Sequence, residues 1–166
     1  MHNYLLANRV AIAGVMDKNS SLRILLVEDN PDDVELALHA FAEFKLANRV
    51  QVARDGADAL DFLFGRGPYA QRDPTDWPKV VLLDLKLPKV DGLEVLRQIR
   101  ADLRTRFLPV VILTSSREER DIVEGYRLGV NSFIQKPVDF EQFTAAIRTL
   151  GLYWLIMNHP PNRAAA

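Results

Sequence analysis

Three short runs of the chain are apolar at every position and end abruptly on polar groups. Ile24-Leu25-Leu26-Val27 runs into Glu28 and Asp29, Val80-Val81-Leu82-Leu83 into Asp84, and Val110-Val111-Ile112-Leu113 into Thr114. Ser132-Phe133-Ile134-Gln135 leads in the same way into Lys136, and Val50 to Ala53 makes a weaker fifth run. Apolarity at every position suits strands covered on both faces, as in a parallel sheet.

Helical periods fill the spaces between these runs. Asn30-Pro31 reads as N-cap and first helical residue, with Asp32 and Asp33 well placed in the first turn. Val34, Leu38 and Phe41 then share a face. A second helix is predicted from Asp55 to about Phe64, followed by a loop from Gly65 to Pro78 rich in Gly, Pro and charge. After Asp91-Gly92, a third carries Leu96, Ile99 and Leu103 on one face. Ser116-Arg117-Glu118-Glu119 has the form of a capping box opening a fourth. Phe140, Phe143, Ile147, Leu150 and Trp154 stripe a fifth. Five strand-helix alternations predict an α/β doubly wound domain with helices on both faces of the sheet.

The outer segments read differently. Residues 1–20 are expected to be an N-terminal tail, with no sustained period and with Met16 as an alternative start. Residues 21–150 form the domain, and 151–166 a C-terminal helix extension and tail. Leu152 to Met157 is apolar on nearly every face, so that helix needs cover all round. It either folds back on its own domain or makes a symmetric homodimer through the fourth and fifth helices, and the dimer is the expectation.

Composition narrows the function. The chain has 166 residues, enough for one domain with a real core. Its 21 basic against 22 acidic residues leave no basic excess for nucleic acid. The absence of cysteine excludes disulfides and thiolate metal sites and suits a cytoplasmic protein. No apolar run approaches the ~20 residues that span a bilayer. His2, His39 and His159 lie too far apart in sequence to suggest a zinc site.

In open α/β sheets, ligands bind beyond the carboxyl ends of the strands. Glu28, Asp29, Asp84, Thr114 and Lys136 all stand at such ends. Taken singly, each has a bland explanation: N-cap, turn residue or surface charge. Taken together, three converging carboxylates repel unless a cation joins them, and hard oxygen donors point to Mg2+. Lys136 and the Thr114 hydroxyl suit a phosphoryl oxygen. A carboxylate beside a divalent ion and phosphate-binding groups is the equipment for an aspartyl phosphate.

Four segments carry a resemblance: Ile24 to Asn30 (ILLVEDN), Leu83 to Gly92 (LDLKLPKVDG), Val111 to Ser115 (VILTS) and Phe133 to Pro137 (FIQKP). Over about Leu22 to Leu150 the chain resembles the receiver domains of two-component response regulators. The Gly65–Pro78 loop, the Asp84–Gly92 segment and the ending Tyr153-Trp154-Leu155, Asn158, Pro160-Pro161 are similar to single-domain regulators associated with phytochrome-type kinases. The resemblance implies a flavodoxin-like fold with strand order 2-1-3-4-5. It implies Asp84 as phosphoacceptor from a sensor histidine kinase, possessing no output domain and acting on an unidentified downstream protein. Mg2+, with Mn2+ as substitute, would be held by Glu28, Asp29, Asp84 and the Lys86 backbone carbonyl. Thr114 and Lys136 would bind the phosphoryl group, Phe133 would be the switch, and Lys86 and Ser116 would tune its lifetime. Lys136-Pro137 would be joined in cis.

Two other readings compete. A haloacid-dehalogenase-like phosphatase wants a second aspartate two residues after the nucleophile, where this chain has Lys86. A pseudo-receiver, a binding module without phosphotransfer, is disfavoured by the complete set of site residues. Other features have structural explanations. His39 is expected on a helix surface, Trp77 in loop packing, and Arg97, Arg100, Arg104 and Arg106 in a solvated stretch. Gly65-Arg66-Gly67 does not open a helix after a strand, so it is no dinucleotide fingerprint.

Overall fold

The computed structural model describes residues 24–46, 49–136 and 139–161. The predicted tail at residues 1–20 and the Lys136-Pro137 bond lie outside the described residues.

All five predicted strands form: β1 (Ile24–Val27), β2 (Val50–Ala53), β3 (Val80–Leu83), β4 (Val110–Thr114) and β5 (Ser132–Gln135). They pair in parallel in the order β2-β1-β3-β4-β5. Five α-helices connect and cover them: α1 (Pro31–Ala42), α2 (Gly56–Phe64), α3 (Gly92–Ala101), α4 (Glu119–Arg127) and α5 (Phe140–Leu152). The last continues into a π-turn, Tyr153–Met157.

Alternation of side chains along each strand divides the core in two. Leu25, Val27, Val81, Leu83, Val110 and Ile112 face one way, onto Leu60 and Leu63 of α2 and Val95, Leu96 and Ile99 of α3. Ile24, Leu26, Val80, Leu82, Val111 and Leu113 face the other, onto Val34 and Phe41 of α1 and Phe143, Ile147 and Leu150 of α5. Each large side chain buried in this way contributes about 1.5–3 kcal/mol before the cost of ordering the chain. The three inner strands can therefore be apolar throughout, whereas Ser132–Gln135 at the sheet edge is only partly covered.

The helix starts follow local chemistry. Asn30 accepts from the Asp32 and Asp33 amides, and Asp55, Asp91 and Asp139 cap α2, α3 and α5. Three expectations are corrected. The proposed capping box at Ser116–Glu119 does not form: α4 begins only at Glu119, with Glu118 as N-cap, so Ser116 stands before the helix and bonds Asp121 and the Glu118 amide. Leu103 is exposed because α3 ends at Ala101, and Phe140 is exposed at the first position of α5. Trp154 and Leu155 pack into the core of their own domain, while Tyr153 and Met157 face outward. The extension is thus partly covered by folding back.

Two glycines hold the loop after β3. The Gly92 N–H donates to the Leu85 carbonyl at 2.9 Å, and the Gly56 N–H to the Pro88 carbonyl at 3.4 Å. A Cβ on Gly92 would overlap the Asp84 carbonyl oxygen, and one on Gly56 the Val90 carbonyl oxygen. The starts of α2 and α3 therefore press directly on the loop that carries Asp84. No helix among the described residues is long and apolar enough to cross a membrane.

Candidate functional site

The registers of β1 and β3 end together, with Val27 opposite Leu83. Hydrogen bonding continues just past the strands and fixes the backbone of the polar residues that follow. The Glu28 N–H donates to the Ala53 carbonyl at 3.0 Å, the Asp84 N–H to the Val27 carbonyl at 3.0 Å, and the Lys136 N–H to the Thr114 carbonyl at 2.8 Å. Four strand ends thereby deliver their side chains to one place on rigid elements. Asp84 is further oriented through its Oδ1, which accepts from the Leu85 amide at 2.6 Å and the Thr114 hydroxyl at 2.7 Å.

Charge is concentrated there. The Lys136 Nζ lies 2.5 Å from Glu28 Oε2, 2.7 Å from Asp33 Oδ2 and 3.0 Å from Asp84 Oδ2. One ammonium thus serves three carboxylates. Carboxylate oxygens of Glu28, Asp29 and Asp84 also lie within 4.8 Å of one another, with Glu28 and Asp84 buried and Asp29 exposed. Burial pushes the Glu28 carboxyl up to about 7, against the lowering bond from Lys136 and with further help from the Asp84 charge. Burial pulls the Lys136 ammonium down, but its bonds to Asp33 and Glu28 and the charge of Asp84 outweigh that, and its pKa is raised. Lys136 therefore stays charged while the acidic cluster remains short of positive charge. An all-oxygen cluster of this kind, open to solvent at Asp29, fits a hard divalent cation.

The remaining expected residues surround this centre. The Lys86 Nζ turns away, to Asp121 at 3.5 Å and Glu118 at 3.9 Å. Ser116 donates its hydroxyl to Asp121 at 2.6 Å. Phe133 packs with the core on the α4 side, its Cδ2 3.5 Å from where a Gly125 Cβ would stand. Sequence reasoning missed Asp33 and Asp121. Asp33 had a signal, since a helix starting four residues after a strand keeps its first turn near the strand end. Asp121 had none, because its partners depend on where α4 packs.

Other expectations resolve simply. His39 is exposed on α1, 3.7 Å from Glu35. Trp77 packs against the core. Arg97 and Arg104 pair with surface acids. Arg100 departs from the solvated reading: it donates to the Leu108 and Gly129 carbonyls and to Asn131, tying α3 to the loops before β4 and β5.

Removing the central cation should leave the buried carboxylates uncompensated. Lys136→Met is expected to destabilise the metal-free protein by about 3–5 kcal/mol in denaturant unfolding. The loss should be larger at pH 8 than at pH 6. Without Lys136 the folded state holds protons on the cluster to higher pH, so its stability falls relative to the parent as pH rises through about 7. A cost below about 1 kcal/mol, the range of an exposed ion pair, would contradict this account.

Known proteins share this fold. The bacteriophytochrome response regulator AtBRR is 58% identical, with a TM-score of 0.65 over 83% of this chain and 99% of that one. The phosphorylated cyanobacterial phytochrome response regulator RcpA is 37% identical, with a TM-score of 0.78 over 85% and 99%. The Mn2+-bound form of response regulator Rcp1 is 33% identical, with a TM-score of 0.75 over 85% and 99%. The family model for the response regulator receiver domain matches residues 24–148. With the sheet order, the acidic cluster and that match together, the chain belongs to the receiver-domain family of two-component response regulators.

Proposed function

We propose that Asp84 takes a phosphoryl group from the phosphohistidine of a sensor histidine kinase of the phytochrome type, and that the protein signals through changed protein contacts. The observation that carries this reading is the approach of Thr114 Oγ1 at 2.7 Å and Lys136 Nζ at 3.0 Å to the two oxygens of Asp84, beside the acidic cluster. In the transfer, the P–N bond to the kinase imidazole breaks and a P–O bond to the Asp84 carboxylate forms, with the imidazole as leaving group. Such chemistry is mainly positioning and charge stabilisation. The relatives described as phosphorylated and as Mn2+-bound support it.

Glu28, Asp29, Asp84 and the Lys86 carbonyl would hold Mg2+ or, in its place, Mn2+. When bound, the ion supplies charge neutralisation between the carboxylates and the entering phosphoryl oxygens. Lys136 is already beside Asp84 and pairs with one of those oxygens. The Thr114 hydroxyl gives up its bond to Asp84 and donates to another. Phe133 moves into the space that Thr114 leaves, which changes the surface of α4, β5 and α5. Lys86 and Ser116 flank the path of hydrolytic water and tune the lifetime of the group.

The test is transfer of labelled phosphate from an autophosphorylated phytochrome-type kinase. Label is expected to move to the parent and to be lost from Asp84→Asn; equal labelling of the variant would contradict the reading.

Self-association belongs to the same proposal. Val123 and Tyr126 on α4, with Tyr153 and Met157 after α5, are exposed although large and apolar. We infer a symmetric homodimer through this region. Light scattering at micromolar concentration should read twice the 18.8 kDa chain mass, and a monomer there would overturn the dimer alone.

A further inference from the structure

Asp121 is a buried carboxylate on the third residue of α4, outside the acidic cluster, and the reaction as described gives it no part. Buried carboxylates need partners, and those of Asp121 are the two residues that flank the acceptor. Its Oδ2 accepts the Ser116 hydroxyl at 2.6 Å and lies 3.5 Å from the Lys86 ammonium. The contacts run on without a gap toward Asp84. The Ser116 N–H donates to Thr114 Oγ1 at 3.3 Å, and Thr114 Oγ1 donates to Asp84 Oδ1 at 2.7 Å.

Ser116 also serves the helix. Glu118, the N-cap of α4, makes no side-chain bond to its helix, and Ser116 Oγ accepts from the N–H of that N-cap residue at 3.4 Å. A hydroxyl has one proton; Ser116 donates it to Asp121, which leaves the oxygen lone pairs free to accept from the Glu118 amide. Asp121 thus orients the hydroxyl that holds the residue before its own helix, two residues on from Thr114.

We propose that Asp121 is a positioning residue that holds Ser116 and Lys86 and so latches the first turn of α4 to the site in its unphosphorylated state. This rests on the reading of Asp84 as phosphoacceptor and deepens it. A phosphoryl group adds about −1.5 to −2 charges within reach of Lys86. Lys86, with its side chain 59% exposed, is free to swing from Asp121 to those oxygens. When Thr114 turns to the phosphoryl group, the Ser116 N–H loses its acceptor as well. Both ends of the latch release together, and α4 is freed to take the arrangement that partners read.

The experiment compares the parent with Asp121→Asn and Ser116→Ala, each with and without a small acyl-phosphate donor and Mg2+. Without donor, amide exchange at Arg120 to Ile122 is expected to rise about tenfold in both variants, as loss of a charge-assisted hydrogen bond implies. Far-UV circular dichroism should match the parent. With donor, adduct decay in Asp121→Asn is expected to slow at least threefold, because Lys86 then stays on the phosphoryl oxygens. Adding Lys86→Ala to Asp121→Asn should abolish that slowing, which a merely structural role for Asp121 would not predict. Exchange within twofold of the parent in both variants would overturn the latch, as would a slowing that survives Lys86→Ala. Failure of the parent to form an adduct would instead strike the acceptor reading, and the exchange arm would still decide whether Asp121 holds α4.

Discussion

One ammonium among three carboxylates governs the polar end of this domain. Lys136 lies within 3.0 Å of Glu28, Asp33 and Asp84, and these come from β1, α1 and β3 while the lysine follows β5. Without a cation the carboxylates would drive those elements apart, since unscreened like charges in a partly buried site cost far more than on a surface. The ammonium holds them but does not balance them. Burial, with the Asp84 charge adding to it, raises the Glu28 pKa to about 7 in spite of the bond from Lys136. A site that is preorganised yet short of positive charge is suited to receive a divalent ion and a phosphoryl group together.

The sheet makes the arrangement possible. β1 and β3, buried on both faces, end level with Val27 opposite Leu83, and β4 runs two residues past Ile112, the partner of Leu83, to Thr114. Site side chains thus stand on elements that the core holds in place. The same economy appears at Gly56 and Gly92, where two helix starts touch the backbone of the loop carrying Asp84. Only a residue without a Cβ allows that approach. The loop carrying Asp84 is thus in backbone contact with the starts of α2 and α3, and hydrogen bonds through Thr114, Ser116 and Asp121 connect it to α4.

Strands, helices and the Asn30 cap were legible because each depends on neighbours in sequence. Asn30, Asp55, Asp91 and Asp139 bond amides two or three residues on. Ser116 broke that rule: it had the spacing of a capping box, but the helix starts later, at Glu119, and Ser116 bonds a buried acid and the Glu118 amide before it. Phe140 and Leu103 fit a helical stripe yet lie outward, since periodicity places a residue on a face but does not say where the partner surface stops. In the site, strand-end position alone brought Glu28, Asp29, Asp84, Thr114 and Lys136 together. The side chains of Asp33 and Asp121 join from helices, and their reach depends on packing between elements distant in sequence.

The most direct measurement is intact mass after incubation with a small acyl-phosphate donor, with and without Mg2+, on the parent and on Asp84→Asn. Addition of a single phosphoryl group to the parent alone, stable in acid, labile in base and absent without Mg2+, is the predicted result. An equal mass gain on Asp84→Asn, or none on a folded, metal-loaded parent, would contradict it.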